Sequence, residues 1–147
     1  MKQAIFIDMD GTIANLYAVQ GWRDMLEAHI AKPYAKAKPM VDMSRLAYYL
    51  HKAQTNGYTI GIISWLSKSG TNAYNQEVTQ VKLQWLKKHL PSVRFDEIHI
   101  LPYGTPKFNV ARSTLDILFD DETRNLREWQ GRAYPPERIF EILRSLR

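Results

Sequence analysis

The stretch Ala4-Ile5-Phe6-Ile7-Asp8-Met9-Asp10-Gly11-Thr12 constrains this chain more than any other. An apolar run of strand length ends abruptly in two carboxylates one residue apart, followed by a glycine. Like charges repel, and each loses solvation near a protein interior, so a buried strand ends this way only if a cation compensates. A second acidic pair, Asp120-Asp121, follows the apolar Ile117-Leu118-Phe119 and repeats the problem. One metal ion addresses both, and oxygen ligands with no Cys in the chain and no His nearby suit Mg²⁺. Aspartate is also a nucleophile toward phosphorus, through an aspartyl-phosphate.

The rest of the pattern gives these carboxylates a frame. Apolar runs at 3–7, 58–63 and 115–119, and the shorter Glu97-Ile98-His99-Ile100-Leu101, read as strands buried on both faces. Helical periodicity lies between them. Leu46, Tyr49, Leu50 and Ala53 mark one helix; Val78, Val81, Trp85 and Leu86 mark a second that ends near Leu90, before Pro91. Ile139, Ile142, Leu143 and Leu146, opened by Pro135-Pro136, mark a third. Alternating strands and helices predict a single α/β domain over 1–147, a doubly wound parallel sheet with its motifs on one edge. The segment at about 14–41 breaks the alternation. Tyr17, Trp22, Met25, Leu26 and Ile30 suggest one amphipathic helix, and Lys32 to Pro39 a proline-broken loop.

Four short motifs occur in order: Asp8-Met9-Asp10-Gly11-Thr12, then Ser64 after Ile60-Gly61-Ile62-Ile63, then Lys107 after Tyr103-Gly104-Thr105-Pro106, then Asp120-Asp121. In these the chain, over roughly residues 3 to 135, resembles the haloacid dehalogenase (HAD) superfamily of phosphatases and phosphotransferases. The resemblance implies a HAD-like Rossmannoid fold, with the segment at about 14–41 as a minimal helical cap insertion, and a Mg²⁺-dependent phosphomonoester hydrolase that works through an aspartyl-phosphate. It implies Asp8 as nucleophile and Asp10 as general acid and base, with Ser64 and Lys107 completing the catalytic set. Asp8, Asp10 (through its carbonyl), Asp120 and Asp121 would hold the metal, with Asp120 the favoured direct ligand. Met9, Gly11, Thr12, Ser64, Trp65 and Lys107 would surround the phosphate, Thr12 chiefly by buttressing Asp10. Lys68 and Arg112 stand as substitutes for Lys107. The presence of Asp10 argues against a dehalogenase, a branch that lacks the acid/base two residues after the nucleophile.

Substrate is less constrained. Tyr17, Trp22 and Arg23 in the cap, and Lys68 in the polar loop with Ser69, Thr71 and Asn72, are the candidate contacts. A vaguer resemblance to the 5′(3′)-deoxyribonucleotidases suggests a nucleoside monophosphate. The net charge of +5 favours anionic partners, either small phosphates or nucleic acid. Its basic residues are scattered apart from Lys32-Lys36-Lys38, Lys82-Lys87-Lys88 and the C-terminal Arg144 and Arg147. A polynucleotide-end phosphatase using Lys32, Lys36 and Lys38, and a non-catalytic phosphate- or partner-binding module, are the alternatives. His29, His51, His89 and His99 have no ligand spacing. Without a membrane-length apolar run or a signal-like N-terminus, the expected setting is cytoplasmic. Oligomeric state is left open.

Overall fold

A computed structural model describes residues 3–146. Five parallel strands form one sheet: β1 (Ala4–Ile7), β2 (Thr59–Trp65), β3 (Glu97–Leu101), β4 (Ile117–Phe119) and β5 (Arg132–Tyr134), in the order β3-β2-β1-β4-β5. The chain winds outward from β1 through β2 to β3, then crosses back to β4 and β5. The reversal therefore falls between β1 and β4, where open α/β sheets leave a crevice at their C-terminal edge.

Side-chain alternation divides the apolar residues between the two faces. Ile5, Ile7, Ile60, Ile62, Ile117 and Phe119 point to one, where α3 (Met43–Thr55) and α6 (Ile139–Ser145) bury Leu46, Leu50, Ile139 and Leu143 against them. Ala4, Phe6, Ile63 and Leu118 point to the other, covered by Trp129 and by the 3₁₀ segment Lys107–Val110. Gly61 faces Phe6: a Cβ there would lie 2.7 Å from the Phe6 ring, so the ring fills the space a side chain would need. The two remaining elements of the frame are α4 (Asn72–His89), which links β2 to β3, and α5 (Thr123–Glu128), which links β4 to β5. Thr71, read from the sequence as a possible substrate contact, instead caps α4 by accepting the Tyr74 N–H at 3.2 Å.

The insertion differs from its sequence reading. In place of one helix and a loop there are a 3₁₀ turn at Leu16–Ala18 and two short helices, α1 (Trp22–Glu27) and α2 (Lys32–Lys36). Pro33 does not break α2, because a proline in the first turn costs no helix hydrogen bond. Leu16, Ala31 and Tyr34 pack with Tyr74 and Val78, giving the cap its own small core on α4. The third strand run also shortens. Asp116 does not continue β4; its buried carboxylate accepts the N–H groups of Ala4 (2.9 Å), Arg112 (3.0 Å) and Ser113 (3.2 Å). β5, Arg132–Tyr134, had no sequence signal, being three residues long with little apolar content.

Asp116 thus ties the start of β1 to the loop before β4. Replacing it by Ala leaves three buried or half-buried amides without their acceptor, and Asp116→Ala should lower unfolding free energy by about 3 kcal/mol in a urea titration. A loss below about 1 kcal/mol would mean that water replaces the carboxylate at little cost.

Candidate active site

The reversal of strand order sets the C-terminal ends of β1 and β4 side by side. The Asp8 N–H donates to the Phe119 carbonyl at 2.9 Å, which carries the ladder one residue past β1 and brings Asp8 beside Asp120. Asp8, Asp120 and Asp121 each present a carboxylate oxygen, all within 4.8 Å of one another. Lys107, almost fully buried, donates to Asp8 Oδ1 at 2.8 Å and to Asp120 Oδ2 at 2.7 Å. Arg112 is no substitute for it, being paired with Glu97. Thr12 Oγ1 donates to Asp8 Oδ2 at 2.8 Å, so it buttresses Asp8 and not Asp10 as the sequence suggested.

Asp10 stands outside this triad. Its partner is Lys82, whose Nζ lies 2.8 Å from Asp10 Oδ2, 2.6 Å from Ser64 Oγ and 2.7 Å from the Trp65 carbonyl. Grouped by sequence with the basic residues Lys87 and Lys88, Lys82 is in fact 1% exposed. Its signal was legible: Tyr74, Val78, Lys82, Trp85 and Leu86 form the buried stripe of α4, and a lysine in such a stripe needs partners. Asn125 was also missed. Placed in α5, it donates from Nδ2 to Asp120 Oδ2 at 3.1 Å, while its buried Oδ1 has no partner among the described residues.

The charges explain what the site can hold. Among the described residues, Asp8, Asp10 and Asp120 are ion-paired with two ammonium groups, Lys82 and Lys107, and Asp121 with none; with all four carboxylates ionised, the charge these pairs leave unmet equals that of one divalent ion. The all-oxygen triad suits a hard divalent ion, and the orphaned Asn125 Oδ1 leaves a further acceptor beside it. Burial raises the Asp120 carboxyl to about 6, with Asp8 adding to the rise and Lys107 opposing it. Burial, then Asp8, raises Asp121 to about 8. Burial raises Asp10 as well, against the pull of Lys82. For Lys107 burial works against the charge, but Asp8 and Asp120 outweigh it and hold its pKa above the ordinary value.

Gly11 shapes the turn that follows Asp10. Its φ of 81° is left-handed, and a Cβ there would lie 2.2 Å from Asp121 Oδ2 and 2.8 Å from the Tyr17 ring. The Gly11 N–H donates to Ala14 and that of Thr12 to Met9, so both amides are committed within the loop. The Met9 side chain lies in the core. Ser64 is fully buried at the end of β2, where Trp65 turns its ring N–H to the Thr105 carbonyl at 2.9 Å. The N-cap of α5 is Glu122, which leaves Asp121 free to face the cavity.

That cavity, about 660 Å³, is lined by Asp8, Asp10, Asp121 and Lys107 together with Tyr17, Trp22, Arg23, Tyr34, Trp65, Lys68 and Tyr103. Two aromatic pairs contribute to its wall: Tyr17 with Trp22, centroids 5.0 Å apart, from the cap, and Trp65 with Tyr103, 5.1 Å apart, from the sheet edge. Arg23 lies 5.3 Å over Trp22 and Lys68 6.0 Å over Tyr103. Leu66 packs into the cap core, whereas Lys32, Lys36 and Lys38 are exposed and do not line the cavity.

Against solved structures, this arrangement is similar to the D,D-heptose 1,7-bisphosphate phosphatase of Burkholderia thailandensis, at a TM-score of 0.53 and 13% identity over 86% of this chain and 70% of that one. The chain shares the fold of that phosphatase, a parallel α/β sheet flanked by helices. The HAD domain of the effector protein Lem4 from Legionella pneumophila is matched at a TM-score of 0.43 and 12% identity, over 91% of this chain and 84% of that one. No family model matches the sequence, and no curated protein matches it significantly. Among the described residues no helix is long and apolar enough to cross a membrane.

Because Asp120 and Asp121 bind their protons more tightly folded than unfolded, the stability they contribute is complete below about pH 4 and is lost as pH rises through 6 and then 8. A divalent ion removes that penalty. Thermal unfolding should therefore show a metal-free Tm that falls from pH 5 to pH 8, and a Mg²⁺-induced rise in Tm that grows over the same range. A rise independent of pH would place the ion elsewhere.

Proposed function

We propose that the protein is a Mg²⁺-dependent phosphomonoester hydrolase that forms an aspartyl-phosphate on Asp8. The observation that carries this reading is the division of labour between two carboxylates two residues apart. Asp8 belongs to the Lys107 and metal-competent cluster, while Asp10 is held apart from it by Lys82, and both line one cavity. Two like groups in unlike surroundings are what a nucleophile and a general acid require.

An Asp8 oxygen attacks phosphorus as the bond to the leaving oxygen breaks, and that oxygen takes the Asp10 proton. Burial raises Asp10 and so favours the protonated form this step needs. Asp10, now ionised, accepts a proton from water as the water attacks phosphorus, the bond to Asp8 breaks, and inorganic phosphate leaves. Lys107 offsets repulsion between Asp8 and the phosphate anion. Asp8, Asp120 and Asp121 would hold Mg²⁺, which when bound supplies charge neutralisation for the phosphoryl oxygens.

For substrate we favour a nucleoside monophosphate. The aromatic pairs lining the cavity offer stacking surface to a planar base, and Arg23 and Lys68 add positive charge. Exposed Lys32, Lys36 and Lys38 lie apart from that wall, so a polynucleotide backbone is the weaker fit.

A panel of nucleotides, sugar phosphates and a 3′-phosphorylated oligonucleotide, each with Mg²⁺ or excess chelator, tests this reading. Asp8→Asn should lower phosphate release at least about 1000-fold with its Tm unchanged or raised. Full retention of biological activity in that variant would favour a non-catalytic binding module. Trp22→Ala should raise KM for nucleoside monophosphates roughly 10-fold, the scale of one lost stacking contact, and leave small alkyl phosphates nearly unaffected. Equal effects on both classes would remove the nucleotide assignment.

A further inference from the structure

Lys82 has no part in the chemistry above, yet it is among the largest fully buried side chains of the protein. It occupies a position in the inward stripe of α4 whose other buried members are apolar or aromatic. An ammonium group has three donors and no acceptor, and here each has a partner: Asp10 Oδ2, Ser64 Oγ and the Trp65 carbonyl. The Tyr34 ring of the cap lies 4.9 Å away. With all donors engaged and Lys82 outside the cavity lining, it has nothing left to offer a substrate directly.

Resting on the phosphatase reading, we propose that Lys82 is the positioning residue of the acid/base apparatus. It fixes Asp10 by one oxygen and leaves the other for the leaving group and for water. Its bond into Ser64 Oγ occupies an acceptor site of that hydroxyl, which leaves the hydroxyl hydrogen free to be donated elsewhere. One side chain from α4 thereby ties Asp10 in the β1 loop, which lines the cavity, to Ser64 in β2, which is fully buried. Lys107 performs no such service for Asp10: its bonds run to Asp8 and Asp120.

The consequence depends on the leaving group. An alkyl phosphate expels an alkoxide that needs the Asp10 proton, whereas p-nitrophenyl phosphate expels a stable phenolate that does not. Lys82→Met, close in volume and without charge, should lower kcat/KM for an alkyl phosphate about 100-fold, the scale of lost general-acid catalysis, and for p-nitrophenyl phosphate by less than about 10-fold. A purely structural role would reduce both alike. If Lys82→Met does not fold by circular dichroism, Lys82→Arg carries the test, since it keeps the charge but cannot present three tetrahedral donors, and the same split is expected. A wild-type protein active on both substrates, with variant losses equal for the two or absent, overturns the assignment of Lys82 alone. A wild-type protein that releases phosphate from neither overturns the phosphatase reading and this assignment with it.

Discussion

Four carboxylates gathered at one edge of a parallel sheet, with two buried lysines between them, are the interaction on which the rest of this structure depends. Charges in a protein interior are tolerated only when paired and hydrogen-bonded. Each lysine here bridges different elements: Lys107 joins the loop after β3 to the ends of β1 and β4, and Lys82 joins α4 to β1 and β2. The cluster is therefore both the candidate site and a set of ties among the strands that build it. Three of its carboxylates lie close enough together to share a cation.

The cap answers a different need. Alone it has too little apolar surface for a core, so it borrows Tyr74 and Val78 from α4 and lays Tyr17 and Trp22 along the cavity. The helix that supports the cap also carries Lys82. Cap packing and the position of Asp10 consequently share one rigid element, and Tyr34, which contributes to the cap core, sits over the Lys82 ammonium.

Much of this was legible in the chain. Continuous apolar runs marked β1 to β4, because a strand covered on both faces must be apolar at every position. Abrupt carboxylates at Asp8, Asp10, Asp120 and Asp121 marked the site, because such an ending needs compensation. What escaped detection did so for physical reasons. β5 is three residues long and takes its stability from pairing with β4, which leaves no local periodicity. The two short cap helices fall below the length at which intrinsic propensity decides, so packing on α4 selects them. Asp116 reads as a strand residue until the amides of Ala4, Arg112 and Ser113 are seen to converge on it.

The sequence by itself determined four of the five strands, the order of its motifs and the crowding of carboxylates at strand ends, since these follow from local pattern and from the cost of burying like charges. Only the tertiary structure decided which lysine serves which aspartate. The apolar stripe of α4 marks Lys82 for burial and Lys107 has no such mark, but nothing local says which carboxylate either ammonium meets. The difference arises from where α4 and the Lys107 segment pack against the sheet. That packing buries each ammonium within hydrogen-bonding distance of a different carboxylate. Partner choice among buried charges is a property of that packing, and it divides one acidic cluster into a metal-competent triad and a separate acid.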